Sequence, residues 1–248
     1  MNTTKQYLND YFKKSNDQVK ASVSQSLEEI IELSKEMADV MVKDGVIQLF
    51  GIEADHALSM ELGFRAGGLI QYHIMDINDL ALRNVISVEE SLKEDFLYQE
   101  GLANKLYDLY NIHDADAFLI YVSHEIYPVV RDLAKLAKEK GHPVYLITSK
   151  KAILDFDEEL SNEVMEIADR VLDIKIDHPD TFFDFEGYKL TQISNLITNI
   201  FAQSITMEIY KYLKSIDEEP QVLWSMNVEG ADEHNKDLVS KYDGRWNS

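Results

Sequence analysis

The sequence predicts an α/β fold, doubly wound, with a mostly parallel sheet and helices on both faces in a three-layer sandwich. Two observations carry that prediction. Five short apolar runs have the length of buried strands, at residues 46–50, 69–74, 117–122, 144–148 and 171–174. They read as nearly continuous Val, Ile, Leu, Phe and Tyr rather than as alternating apolar and polar residues, which is the pattern of strands covered on both faces. The second observation is what separates them. Residues 57–65, 96–110, 129–140 and 158–168 have helical spacing, and strand–helix alternation of this kind argues for parallel pairing.

Taken in order, Val19, Val23, Leu27, Ile30, Met37 and Met41 recur on one face of a helix over residues 19–41, with a separate short helix predicted over 7–14. Lys43-Asp44-Gly45 stops the helix, with Gly45 as its C-terminal residue. A long amphipathic helix here either clasps a second subunit or covers its own sheet. The clearest crossover runs from Ala117-Phe118-Leu119-Ile120-Tyr121-Val122 through a helix ending at Lys140-Gly141 to Val144-Tyr145-Leu146-Ile147-Thr148. A right-handed connection is expected there. After the last strand, residues 188–213 carry Leu190, Ile193, Leu196, Ile197, Ile200, Phe201, Ile205 and Ile209, which predicts one long helix with a broad apolar side. A polar tail follows from 216. The expected organisation is a single domain over 1–248: a helical extension at 1–44, a core at 45–215 and a tail at 216–248. The two long apolar stripes predict a homodimer or larger homo-oligomer.

The charge balance excludes whole classes of partner. Twenty-four basic against 45 acidic residues give a net charge of −21, so neither nucleic acid nor an anionic membrane is an expected partner. Any phosphorylated ligand would need local backbone NH groups, hydroxyls or a few cations. There is no cysteine, hence no disulfide framework and no thiolate metal site. The first 14 residues lack the apolar core of a signal peptide, and no apolar run reaches the roughly 18 residues of a membrane span, so a cytoplasmic protein is expected.

In an open parallel sheet, ligands sit beyond the carboxyl ends of the strands, near the point where the strand order reverses. Three loops qualify: 51–56, 123–128 and 148–151. His56 and His124 are either acid–base groups or ordinary surface residues. Asp55 and Ser123 are either ligand contacts or helix N-caps. Glu61 and Arg65, four apart, are either functional or a surface ion pair. Gly67-Gly68 reads as a turn, and Lys150-Lys151 as a solvated pair or a phosphate neutraliser. No zinc-type spacing, P-loop, GxGxxG or nucleophile elbow occurs, and no cofactor is expected. Composition and spacing reach an α/β protein with a small polar pocket.

The stretch Leu49-Phe50-Gly51 through His56, continuing to Glu61-Leu62-Gly63-Phe64-Arg65-Ala66-Gly67-Gly68-Leu69, resembles the first strand, loop and helix of bacterial sugar-isomerase (SIS) domains. The subgroup it resembles has a GSGHSH…RAGGL pattern. Later landmarks are Gln99-Glu100-Gly101-Leu102-Ala103, the crossover into Thr148-Ser149, and Asn227-Val228-Glu229-Gly230-Ala231-Asp232-Glu233-His234-Asn235, so that the likeness spans nearly the whole chain. The resemblance implies an oligomer that binds a sugar derivative, either as a binding or sensing protein with weakened or lost catalysis, or as an active isomerase or ether lyase. It implies a ligand site from Gly51, Glu53, Asp55, Ser123, His124, Glu125, Thr148 and Ser149. It further implies an acid–base set of Glu61 with His56 or His234.

The departures from the pattern bear on the ligand. Glu53 and Asp55 stand in the first loop, and in place of an SNSG-type phosphate loop the chain has Ser123-His124-Glu125-Ile126. A carboxylate there repels a dianion, so simple sugar phosphates are expected to bind weakly. The three acidic residues would instead suit an amino sugar or a divalent cation, although no set of residues is assigned to a metal. Glu125 is expected to fill the phosphate position with its own carboxylate, at the start of the helix beginning near Tyr127.

Overall fold

The computed structural model describes residues 3–245. Its first element is a single helix, α1 (Thr3–Val42), of 40 residues, where two helices were expected. Residues 15–18, between the two expected helices, carry no apolar side chain, and their inward position is the buried Ser15, so apolar periodicity alone does not join the two. Ser26 Oγ donates to the Asp173 carbonyl at 2.9 Å, an example of how this face stays satisfied. The helix ends in a Schellman arrangement: Gly45 N donates to the Val40 carbonyl and Asp44 N to the Met41 carbonyl. The left-handed residue is Asp44 (φ 59°), not Gly45. Gly45 is needed for a different reason, because a Cβ there would lie 2.2 Å from the Ala115 carbonyl oxygen.

Five strands follow: β1 (Ile47–Gly51), β2 (Tyr72–Met75), β3 (Ala117–Val122), β4 (Val144–Thr148) and β5 (Arg170–Asp173). All neighbouring pairs are parallel, in the order β2-β1-β3-β4-β5, with Ile47 opposite both Tyr72 and Ala117, and Val122 opposite Thr148. Successive side chains go to opposite faces. Leu49, Leu119 and Ile147 join α1 and the later helix α9 (Ser194–Ser215) in one core; Phe50, Ile120 and Leu146 join α5 (Leu102–Leu109), α6 (Pro128–Glu139) and α8 (Glu158–Ile167) in another. Each such side chain removed from water contributes about 1.5–3 kcal/mol. The expected three-layer sandwich is therefore present.

The apolar stripes of α1 and α9 meet each other. Ile30, Leu33 and Met37 belong to the same buried cluster as Phe201, Ile205 and Ile209, so most of both stripes is spent within the chain. Helix α9 also starts later than expected. Residues 188–190 instead form β7 (Tyr188–Leu190), antiparallel to β6 (Phe183–Phe185), across a turn with Glu186 and Gly187 both at positive φ. The expected helix over 96–110 is likewise divided, into a 3₁₀ turn (Phe96–Tyr98) and α5, by Gly101 at φ 79°.

Smaller helices complete the chain: α2 (His56–Leu62), α3 (Asp79–Leu82), α4 (Val88–Ser91) and α7 (Lys150–Phe156). The tail is not featureless. Residues 221–223 return to the start of β2 through Ile70 N to the Gln221 carbonyl and a Leu69–Val222 bridge, and α10 (Ala231–Lys241) follows. Arg245 then inserts beneath the sheet and donates to both oxygens of the fully buried Asp116, at 2.7 and 2.5 Å. Among the described residues, no helix is long and apolar enough to cross a membrane.

Candidate functional site

The strand order reverses between β1 and β3, so the crevice beyond Gly51 and Val122 is where a ligand site belongs. The chain turns sharply there. A Cβ on Gly51 would lie 2.5 Å from the Asp55 carbonyl oxygen, which makes glycine the residue that lets the loop fold back onto the strand end. Glu53 takes positive φ (53°) inside a 3₁₀ turn (Glu53–Asp55), and this turn aims Asp55 inward.

Asp55 does not cap α2, and Ser123 does not cap α6. They bind each other across the crevice. Ser123 N donates to Asp55 Oδ2 at 2.7 Å and Ser123 Oγ donates to Oδ1 at 2.6 Å, with both residues buried. This pair ties the end of β1 to the end of β3. Burial pushes the Asp55 carboxyl up to about 6, while the two bonds from Ser123 and the nearby His124 oppose that rise. Beneath it, the Tyr121 hydroxyl is enclosed near the hydroxyls of Thr198, Ser123 and Ser194, and burial, with Asp55 nearby, drives its titration well above the ordinary tyrosine range.

A cavity of about 190 Å³ opens above this pair, walled by Glu53, Asp55, His124, Glu125, Tyr127 and Asp180, with Ile52, Ala54, Ser123 and Gln192 completing it. Among the described residues, no lysine or arginine lines it. His124 stands half-buried between two carboxylates, Nδ1 3.9 Å from Glu125 Oε1 and Nε2 4.0 Å from Asp180 Oδ1. Glu125 accepts a 2.6 Å hydrogen bond from the Tyr127 hydroxyl. It caps no helix, so the expected internal anion at the helix start is replaced by a carboxylate bonded to a phenol on the cavity wall. Burial and the adjacent Glu125 together raise the Tyr127 phenol above its usual range.

Of the residues expected to bind ligand, Glu53, Asp55, Ser123, His124 and Glu125 are brought together, and Gly51 shapes their turn. Thr148 and Ser149 are not among the lining residues. Both are fully buried, and the Ser149 hydroxyl donates to the Ile176 carbonyl, so it anchors the segment after β5. The acid–base set does not assemble either. Glu61 accepts from Arg65 and from Gln203 of α9. His56 faces Asp76 beyond β2, with Nε2 3.7 Å from Oδ2. His234 bonds the Val222 carbonyl at 2.8 Å and stacks on Trp224 at 4.0 Å, at the end of the sheet where β2 begins, opposite the cavity. Sequence reasoning missed Asp180, which lies in an aperiodic stretch after β5, and Gln192, which falls inside the stretch 188–213 expected to be helix. Among the described residues, no group of three His, Asp or Glu is arranged to hold a metal ion.

Comparison with known proteins agrees with this geometry. A UPF0309 protein of Geobacillus kaustophilus is 28% identical over 251 residues, covering 96% of this chain and 95% of its own. One from Thermoanaerobacter pseudethanolicus is 28% identical over 252 residues, covering 97% of each. The solved structure of a phosphoheptose isomerase from Francisella tularensis superposes with a TM-score of 0.53 over 85% of this chain and all of that one, at 12% identity, a likeness of fold alone. The family model described as SIS domain matches residues 10–149, more than half of the sequence and both strands that flank the cavity. The chain belongs to the SIS domain family.

Proposed function

We propose that this SIS domain is a binding protein for a small sugar derivative that presents an amine or a neutral group, rather than a phosphate, to the cavity between β1 and β3. One observation carries the reading: among the described residues, the cavity wall holds Glu53, Asp55, Glu125 and Asp180 and no lysine or arginine. Carboxylates repel a phosphate dianion at this range and attract an ammonium group. Binding is favoured over isomerisation because Glu61, His56 and His234 are each engaged elsewhere. Calorimetric titration with glucosamine, glucose and glucose 6-phosphate tests the order. The amine should bind most tightly and the phosphate at least about tenfold more weakly, the equivalent of about 1.4 kcal/mol. A low-micromolar dissociation constant for glucose 6-phosphate would overturn the reading.

We also infer self-association through the first part of α1. Leu8 and Phe12 are 63% and 68% exposed, beside an apolar groove formed with Tyr11, Phe183, Phe185 and Leu190. Apolar surface of this kind marks an interface. Light scattering should report a dimer or larger species that Leu8→Ser with Phe12→Ser dissociates. A monomeric parent would reject it.

A further inference from the structure

A second cleft brings together the lysines that the first cavity lacks among the described residues. It lies between α1 and the segment joining β5 to the β6–β7 hairpin, and encloses about 520 Å³, within the usual range of small-molecule sites. Its lining holds Lys14, Lys175 and Lys189 with Asp177 and Asp184, and His178 beside them. In a chain with nearly twice as many acidic as basic residues, three lysines converge on this one cleft.

The lysines differ in how far they are already neutralised. Lys175 faces Asp173 at 3.3 Å and Glu29 at 3.7 Å, and Lys189 faces Asp184 at 2.8 Å. Lys14 has a different environment. Its ammonium donates to the Phe182 carbonyl and lies 4.3 Å from the centre of the Phe182 ring, so it is oriented by a carbonyl and a ring face, with Asp184 acting on it only from a distance. The Asp184 carboxyl is held below its usual range by Lys189, by the Gly187 NH group and by the more distant Lys14. The Lys189–Asp184 pair is solvent-exposed, and pairs of that kind are weak enough for an incoming anion to compete. Gln18, Gln25 and Thr181 add neutral hydrogen-bonding groups around the same space. Gln18 is itself fixed, through Nε2 to the Lys175 carbonyl at 3.2 Å, and ties α1 to the far wall.

We propose that this cleft is an anion site for a phosphate-bearing small molecule, with Lys14 and Lys189 as its principal charges. The site is separate from the cavity between β1 and β3 and does not depend on what that cavity binds. The two share a wall. Asp180 and Gln192 face the first cavity, whereas Asp177, His178, Thr181 and Lys189, from the same stretch of chain, face the second.

The test uses inorganic pyrophosphate as probe, titrated into the full chain at low salt by calorimetry and by amide NMR. Binding should shift the amides of Lys14, Gln18 and Thr181 and leave those of Ser123 and Glu125 unmoved. Lys14→Gln with Lys189→Gln should weaken binding by about tenfold or more, since each charge-assisted contact to phosphate is among the stronger hydrogen bonds. The melting temperature and glucosamine titration of the double variant report whether fold and first cavity are intact. Glu53→Gln, in the first cavity, should leave pyrophosphate affinity unchanged. The proposal is overturned if the parent shows no binding at roughly 10 mM probe. It is equally overturned if the shifts map to Ser123 and Glu125, or if the folded double variant binds as well as the parent. Failure of glucosamine to bind would reject the amine reading and leave this result unaffected.

Discussion

Asp55 should make the protein less stable as pH rises through the mildly acidic range, and Asp55→Asn should remove that dependence. Its carboxyl is raised from its usual 3.8 to about 6, chiefly by burial. The folded chain therefore holds this proton more tightly than the unfolded chain does. Between about pH 4 and pH 6 the native state binds more protons, so this group's contribution falls as pH rises and is level above about pH 6. At about 1.4 kcal/mol for each pH unit between the two values, the whole change is on the order of 3 kcal/mol. An asparagine presents an oxygen to the Ser123 NH group and an NH₂ to its hydroxyl, which can turn to accept. The geometry survives and the buried charge does not.

The variant should accordingly be more stable than the parent near pH 7.5 by about 1–3 kcal/mol and converge with it near pH 4. Urea unfolding followed by circular dichroism across that range measures the difference. Taking parent against variant removes the effect of the many other carboxylates, which titrate in both. Asp55→Ala separates charge from bonding. It leaves the buried Ser123 NH group without its acceptor, at about 1–3 kcal/mol, so it should be less stable than the asparagine variant at every pH. An asparagine variant that is less stable than the parent near pH 7.5, or a difference that does not change with pH, would refute the assignment.

Arg245→Ala should cost about 3 kcal/mol, because it leaves Asp116 buried without its cation, although Val46 N, Gln48 Nε2 and His113 N still donate to it; thermal unfolding measures this, and a loss below about 1 kcal/mol would show the contact to be incidental. The same substitution should raise the titration of His73, now lowered to about 4 by burial and by Arg245, which histidine proton NMR follows. Gly45→Ala should destabilise by about 1–3 kcal/mol or more, since its Cβ meets the Ala115 carbonyl oxygen, and a neutral effect by chemical denaturation would contradict the tight approach. Glu61→Gln should change glucosamine affinity less than about twofold, because Glu61 is turned to Arg65 and Gln203; a larger loss would return it to the site.

The sheet was legible because its strands are covered on both faces. Ala117–Val122 and Val144–Thr148 have the bounds expected from their unbroken apolar runs. Two kinds of feature escaped. Where the inward position is polar, as at Ser15 in the stretch 15–18, no apolar spacing marks the helix, and α1 looked divided in two. Where apolar residues serve a hairpin, as at Tyr188 and Leu190, they imitate the start of the helix that follows. In the site, loop position identified Asp55, Ser123, His124 and Glu125, yet their pairing was invisible. The bond between Asp55 and Ser123 joins residues 68 apart, and Asp55 looks from the sequence like an ordinary helix cap. His234 was misleading for the converse reason: a histidine in a recognisable tail was stacked on Trp224 and bonded to backbone.

The end of β4 shows how residues at a strand's carboxyl end can serve the fold. Thr148 and Ser149 stand at the carboxyl end of a central strand, where a ligand would ordinarily be met. The Thr148 carbonyl instead accepts from Ile174 N at 2.8 Å, and the Ser149 hydroxyl donates to the Ile176 carbonyl. On the other side of that segment, Lys14 holds the Phe182 carbonyl and Gln18 holds the carbonyl of Lys175. The segment is thus fastened from the sheet and from α1 at once, and its own side chains become the wall. Asp180 adds a carboxylate to one cavity while Lys175 and Lys189 add cations to the other. The Ser149 hydroxyl and the Thr148 carbonyl are thus spent on positioning one stretch of chain whose two sides carry residues of opposite charge, a carboxylate toward the first cavity and lysines toward the second cleft.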